Sequence, residues 1–259
     1  MYAKLTNWMK CLAITAATLF AASSAHAGFT TIGAHPAGEA DQEQVFAHQF
    51  GGIWQQQGVN FTDGSITATR INDSLSASTV LNLNKGKTGS STDDLWSGDK
   101  FTVSAVAKFS GYTQSIGILD STGSHNLLDI QGTGFNVTSA NITVDMHGQQ
   151  FQWQRAGDSG TQLSLAGNNL DLRDHMLTYE VEGLPNTTGP VWMLFFEDMN
   201  LASDTPIHRT SADFNDLVVE IRPVVTPIPL RPGGWAGLWT LTGAALVRGR
   251  RVLSKVSMA

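Results

Sequence analysis

Apolar and polar residues alternate over short stretches along most of this chain. Between residues 101 and 109, Phe, Val and Ala at odd positions alternate with mostly polar residues at even positions. An extended segment with this pattern has one apolar face, as a half-buried β-strand does. Alternating or apolar runs of similar length recur at 65–71, 115–119, 126–130, 141–146, 151–154, 162–165 and 176–182.

Glycine-containing turns separate most of these runs, and little of the chain has helical periodicity. Gly accounts for 26 residues, and the helical turn that the pattern indicates, at 43–50, is short. The stretch 84–99 is rich in Lys, Gly, Ser, Thr and Asp, so we predict a surface loop there. Many short strands with frequent turns predict a mainly β fold, either an antiparallel β-sandwich or a jelly-roll-like body.

An acidic loop separates two apolar runs near residue 200. Residues 191–196 are all apolar, and a second, mainly apolar run occupies 217–221. Both runs are predicted strands. If the two strands pair, the end of the first lies beside the start of the second. Five oxygen-bearing side chains then converge at these strand ends, namely Glu197, Asp198, Asp213, Asn215 and Asp216.

Converging carboxylates repel one another, so they require a raised pKa, a basic partner or a bound cation. Because Ca²⁺ takes about six to eight oxygen ligands, the sequence predicts a metal site at these five residues, with Ca²⁺ as the cofactor. Two alternatives stay open. Arg209 or His208 in the same loop could neutralise the acids, or the Asp and Asn side chains could simply cap turns through their own backbone.

Other motifs point less directly to chemistry. Gly-Asp-Ser-Gly at 157–160 resembles the sequence around the nucleophile of trypsin-like serine proteases, but Thr161 follows where that family has Gly. These residues are also common in hairpin turns. Glu180 and Glu182 could form a glycosidase pair with an acid of the loop, although exposed acids on the solvent face of a strand explain them more simply. We therefore predict that the protein is not an enzyme.

The first 27 residues have the pattern of a secretory signal peptide. Lys4 and Lys10 precede an apolar segment at 11–22, and Ala-His-Ala at 25–27 forms a small-x-small cleavage site. The single cysteine, Cys11, lies inside this segment. The exported body at 28–224 is therefore predicted to contain no thiol, which excludes disulfides, a cysteine nucleophile and zinc held by cysteine.

The C-terminal segment at 225–259 differs in character from the body. Thr-Pro-Ile-Pro at 226–229 is followed by an apolar stretch of 15 residues at 233–247 and by arginines at 248, 250 and 251. This arrangement resembles the tripartite sorting tail of bacterial PEP-CTERM proteins. The resemblance implies a hydrophobic helix that holds the protein in the inner membrane until an exosortase cleaves near the prolines. Ile228 stands where the commonest form of the motif has Glu.

A second resemblance covers residues 175–222. Phe-Glu-Asp at 196–198 and Asp-Phe-Asn-Asp at 213–216, followed by an apolar strand, resemble the domain of unknown function 4114. Phe214 stands where that family usually has Tyr. The family is found in exported bacterial proteins and has no established reaction, so the resemblance implies a role at the outer surface and no mechanism.

Charge restricts the partners of the predicted body. All 22 acidic residues lie between 28 and 228, where nine Lys and Arg remain, which gives a formal charge of −13. Such a body repels nucleic acid and attracts cations. We expect an exported, non-enzymatic protein of the cell surface, biofilm or extracellular polysaccharide matrix. The alternatives are a secreted carbohydrate-active enzyme and a lectin-like module, whose sugar contacts would use Trp54, Trp96 or Trp153 if these are exposed rather than buried in the core.

Overall fold

The computed structural model describes residues 29–73, 80–86, 92–138, 141–187, 189–198 and 212–224. All of these except Val224 belong to one compact unit that ends at Pro223. The predicted signal peptide, the sorting tail with its helix at 233–247, Arg209 and His208 lie outside the described residues. Within them, no helix is long and apolar enough to cross a membrane.

In the part of the chain that the structure describes, fifteen strands form two sheets, which confirms the mainly β fold. The first sheet has the order β1-β2-β3-β13-β14-β15-β6-β10 and its pairs are all antiparallel. Its strands, in chain order, are β1 (Gln55–Gln57), β2 (Asn60–Asp63), β3 (Ile66–Arg70), β6 (Lys100–Ala107), β10 (Ile142–Asp145), β13 (Met176–Glu182), β14 (Val191–Phe196) and β15 (Leu217–Pro223).

The second sheet has the order β4-β5-β11-β7-β8-β9, and β12 pairs with β11. Its β4–β5 pair is parallel, whereas the other pairs are antiparallel. Its strands are β4 (Val80–Asn82), β5 (Leu95–Ser97), β7 (Gln114–Asp120), β8 (Gly123–Thr133), β9 (Asn136–Thr138), β11 (Gln150–Gly157) and β12 (Gly160–Leu163). A short 3₁₀ helix, η1 (Ala166–Asn168), follows β12.

Two hydrophobic cores cover the two faces of the first sheet. One core lies between the sheets and contains Trp96, Trp153 and Trp192. The other lies between the first sheet and helix α1 (Gln42–Phe50), where Phe46 packs on Tyr179 at 5.3 Å between ring centroids. The body is therefore a β-sandwich with a helix as a third layer.

Helix α1 begins at a capping box. The carboxylate of Asp41 accepts a hydrogen bond from the backbone N–H of Gln44 at 2.8 Å, and the side chain of Gln44 accepts one from the N–H of Asp41 at 3.1 Å. Such reciprocal bonds satisfy backbone groups that the first turn leaves free. The helix ends before Gly51, whose φ of 75° suits glycine.

Burial overturns two expectations about exposure. Glu180 is not on a solvent face, because β13 is covered on both sides and leaves this residue 6% exposed. The stretch 84–99 is not simply a surface loop, since it contains β5 and the buried Asp93 and Asp94. The segment at 157–160, by contrast, closes the hairpin between β11 and β12, where Gly157 faces Gly160.

Candidate functional site

The pairing of β14 with β15 brings the predicted acidic residues together where β14 ends and β15 begins. In this antiparallel pair, Phe196 at the end of β14 lies opposite Leu217 at the start of β15. Glu197 and Asp198 therefore follow one strand at the place where Asp216 precedes the other. The apolar residues of both strands are buried. The polar residues at the strand ends are therefore largely shielded from water.

Three of the five predicted ligands converge. Glu197, Asp198 and Asp216 each offer a carboxylate oxygen, and these oxygens all lie within 4.8 Å of one another. The backbone N–H of Asp198 also donates a hydrogen bond to Oδ2 of Asp216 at 2.8 Å. Oxygens that share one calcium ion lie about 2.3–2.6 Å from it, so their separations cannot exceed about twice that distance. The three acids meet this condition.

Asp213 and Asn215 lie beside this group but not in it. The backbone carbonyl of Asp213 accepts a hydrogen bond from Gln42 at 2.7 Å, and the Asn215 amide donates one to the carbonyl of Ala40 at 3.0 Å. Both bonds hold the loop against the start of helix α1. Phe214 between them has a φ of 55° and is buried. A bulky residue rarely adopts this conformation, so the surrounding packing fixes the loop.

One amide oxygen near the acids is left without a partner. Oδ1 of Asn215 is buried and makes no hydrogen bond within the part of the chain that the structure describes. Asn215 also contacts Glu39, an acid that sequence analysis did not connect with the site, because it precedes the loop by more than 150 residues. Leaving a buried acceptor unsatisfied costs about 1–3 kcal/mol.

Arg155 is the basic partner of the acids. It is fully buried on β11, and its guanidinium Nη2 lies 3.4 Å from Oδ2 of Asp198. The same side chain donates hydrogen bonds to Gln114 at 2.5 Å, to Gln162 at 2.6 Å and to Ser159 at 2.8 Å. Ser159, the serine of the protease-like motif, therefore serves to hold this arginine.

Asp198 accepts several hydrogen bonds at this place. Its Oδ2 accepts a hydrogen bond from Gln114 at 2.8 Å and another from the hydroxyl of Ser110. Its backbone carbonyl accepts a bond from Gln162 at 3.3 Å. These bonds fix the carboxylate of Asp198 beside Glu197 and Asp216.

Three acids at this place, Asp213, Asp216 and Glu39, have raised pKa values. Burial, and then repulsion by Glu197, raises the pKa of Asp213 to about 7. Burial, and then the charges of Glu197 and Asp198, raises the pKa of Asp216 well above its usual range. Burial is also the main cause of the raised pKa of Glu39. Among the described residues, Arg155 alone does not neutralise the group, and the negative charge left over attracts either protons or a cation.

The three tryptophans predicted as possible sugar contacts do not offer a sugar-binding surface. Trp54, Trp96 and Trp153 are at most 4% exposed, so they belong to the two cores. These three side chains pack in the interior and are not available to stack on a carbohydrate.

Fold and site together define a β-sandwich protein with an acidic cluster at the ends of two central strands, β14 and β15, of its larger sheet. No family model matches the chain, and no curated protein matches it. Among solved structures, it is similar to the Ralstonia solanacearum high-affinity mannose-binding lectin, with 14% identity and a TM-score of 0.33. The alignment covers 52% of this chain and 100% of the lectin chain. A likeness of this size gives no ground for an inference about function.

Proposed function

We propose that this is an exported, non-enzymatic β-sandwich protein of the cell surface or extracellular matrix, stabilised by Ca²⁺ at the end of β14. The observation that carries the cation site is the convergence of Glu197, Asp198 and Asp216 within 4.8 Å. Their oxygen ligands suit a hard cation, and oxygens of the backbone or of water would complete the coordination. Oδ1 of Asn215 is a further buried oxygen next to this group.

Calcium-dependent melting of the full-length chain tests the site. We expect Ca²⁺ to raise the melting temperature, because an ion that binds only the folded state stabilises it by about 2.7 kcal/mol at 100 times its Kd. Asp216→Asn is expected to reduce this rise. In chelator the same variant should be at least as stable as the wild type, because burial and the charges of Glu197 and Asp198 disfavour an ionised carboxylate at this position and an amide is neutral.

Asp99→Asn is the matched control, since it makes the same chemical change at an exposed carboxylate. It should respond to Ca²⁺ as the wild type does. Melting temperatures that are equal in Ca²⁺ and in chelator for the wild type, or a full calcium response in Asp216→Asn, would refute the site.

Export and sorting rest on the termini. The signal-like segment at 1–27 and the tail at 225–259 resemble elements that lead to exosortase processing at the inner membrane, and a body with a charge of −13 is suited to a cation-rich exterior. The mass of the protein recovered outside the cell tests this. A mature mass that still includes the residues after Pro229 would contradict processing.

A polar cleft supports a second candidate function, carbohydrate binding. The cleft has a volume of about 350 Å³, and its lining includes Lys108, Gln114, Asp129 and Gln131. Such side chains donate and accept the hydrogen bonds that orient a sugar. A glycan array tests binding, and Gln131→Ala, a change at an exposed residue, should weaken any specific signal without changing the melting temperature. A signal that is unaffected by this variant would exclude the cleft.

The same array, followed by product analysis, also tests the enzymatic alternative. If a polysaccharide is cleaved and Glu197→Gln abolishes the cleavage, the protein is a carbohydrate-active enzyme that uses the acidic loop. We expect no turnover.

A further inference from the structure

One loop joins the converging acids to the helix layer. Residues 212–216 precede β15, and Asp216 at the end of this loop is one of the three acids. The segment that leads into helix α1 holds the same loop. Three hydrogen bonds of 2.7–3.0 Å make this connection, between Gly33 and Ala212, Gln42 and Asp213, and Asn215 and Ala40. The acids and the helix are therefore attached to the same few residues.

The side chain of Asn215, next to Asp216 in the chain, has its nitrogen turned toward the helix layer. This nitrogen donates the bond to the carbonyl of Ala40 at 3.0 Å. A hydrogen bond from the same side chain lowers the pKa of Glu39, as a donor to a carboxylate does. Oδ1 of the amide is fully buried and has no hydrogen-bond partner in the described part of the chain. Amide oxygens of this kind are among the ligands that Ca²⁺ takes in proteins.

Glu39 lies near the acids without belonging to their group. Burial raises its pKa, the bond from Asn215 lowers it, and the charges of Glu197 and Asp198 raise it again. Its carboxylate is not among the oxygens gathered within 4.8 Å. Its direct contact is with Asn215, so Glu39 can act on an ion at the acids by holding that amide in place.

We propose that the cation held by the three converging acids also takes Oδ1 of Asn215 as a ligand, and that Glu39 is a positioning residue for this amide. The inference rests on the calcium site proposed above. Because the nitrogen of the same amide is bonded to Ala40, a bound ion and the docked helix α1 hold the same side chain. Calcium binding and helix docking therefore stabilise each other, and this coupling is reciprocal.

The helix does not need the ion in order to stay packed on the sheet. Val45 and Phe46 are fully buried in the core between α1 and the first sheet. Parts of a folded protein nevertheless open locally at free energies below that of global unfolding, and a ligand that binds only the closed state makes these openings rarer. The ion is therefore expected to change how often α1 opens, and not the fold.

Calcium affinity of the full-length chain tests the role of Glu39. By isothermal titration calorimetry, Glu39→Ala should bind Ca²⁺ about 10-fold more weakly than the wild type, in the range for lost partners of metal ligands. Glu43→Ala is the matched control. It removes the same charge from the first turn of α1, where the carboxylate accepts a bond from the N–H of Gln56 at 2.8 Å. Glu39→Gln keeps an oxygen that can accept the bond from Asn215, so its affinity should equal that of the control.

Three results would overturn the role of Glu39. Equal losses of affinity in Glu39→Ala and Glu43→Ala would show that only the net charge matters. A loss in Glu39→Gln as large as in Glu39→Ala would exclude the hydrogen bond as the cause. An affinity that does not respond to Glu39→Ala at all would mean that something other than the ion, such as a buried water, is the partner of Oδ1 of Asn215.

Hydrogen exchange of helix α1 tests the coupling itself. In the wild type, Ca²⁺ at 100 times its Kd should slow the exchange of the backbone amides of Gln42–Phe50 by up to about 100-fold, the limit set by full linkage to the ion. The effect should be much smaller in Glu39→Ala at 100 times its own Kd. The half-exposed edge strand β10 makes none of these bonds and should exchange alike with and without Ca²⁺.

Two results separate the coupling from the calcium site. If the wild type binds no Ca²⁺, the site fails and the coupling fails with it. If Ca²⁺ binds and Asp216→Asn weakens the binding, but α1 exchanges at the same rate with and without the ion, the site stands and the coupling is wrong.

Discussion

Replacing Arg155 by methionine is the sharpest test of the electrostatic reasoning at the acidic cluster. The change removes the guanidinium and keeps an unbranched apolar stem of similar reach. It leaves the carboxylate of Asp198 without its ion pair, which spans 3.4 Å, and it leaves side-chain oxygens of Gln114 and Gln162 without their donor. None of these groups can turn to water, because all are buried.

The expected loss of unfolding free energy follows from the fact that Arg155 and Asp198 form a buried ion pair. Removing one partner of a buried ion pair costs about 3–5 kcal/mol, since the other charge stays buried and uncompensated. Natural domains have free energies of unfolding of about 5–15 kcal/mol, so Arg155→Met should be severely destabilised in chelator. Bound Ca²⁺ should restore part of the loss, because the cluster is one charge more negative and attracts the ion more strongly.

Urea unfolding in chelator and in Ca²⁺ measures both effects. The m-value should stay constant, so that the shift in midpoint reports stability. Arg173→Met is the control, because Arg173 is half-buried and its side chain makes none of these contacts. A loss below about 1 kcal/mol for Arg155→Met, the value typical of exposed pairs, would show that the acids are solvated. A calcium-induced gain no larger than in the wild type would contradict cation binding beside Asp198.

Three further predictions concern pH and packing. In chelator, the free energy of unfolding should fall as pH rises from about 4 to about 7. The reason is that the folded state holds a proton on Asp213, with a pKa of about 7, that the unfolded chain has lost. Asp213→Asn should flatten this slope when unfolding free energies are measured by urea titration at each pH. Phe46→Ala should cost about 3–5 kcal/mol in unfolding free energy, since its ring is fully buried among aromatic side chains. Gly117→Ala should lower the melting temperature, because the new Cβ would lie 2.4 Å from the carbonyl oxygen of His125, whereas Gly111→Ala meets nothing within 4 Å and should not.

The sequence predicted those parts of the fold that depend on local pattern. The alternation at 101–109 corresponds to β6 and that at 176–182 to β13, because period two reports directly which residues can share a face. The acids at the ends of β14 and β15 were found in the same way, since an antiparallel pair must place one strand's end beside the other's start. These inferences need no knowledge of distant contacts.

The remaining features depend on which distant segments meet. The local sequence does not distinguish Arg155 from any other polar residue of a strand. Only the packing of β11 against the first sheet places it beside Asp198. Glu39 reaches the site through the loop before α1. Glu180 was expected in water because alternation cannot show that a helix and a second sheet cover both faces of β13.

The error at residues 93 and 94 has a physical lesson of its own. A Thr-Asp-Asp sequence after a Gly- and Ser-rich stretch has the composition of a solvated loop, yet its acids are buried beside Asp73. Burying such groups is favourable only if something offsets the desolvation of their charges. Arg70, at 2.7 Å from Asp73, offsets part of this cost, and burial raises the pKa values of Asp93 and Asp94, so that protonation can remove more of the charge. The bridge that brings these segments together, between Asn72 and Thr92, has no signal in the local pattern, so the burial of the two acids could not be predicted from it.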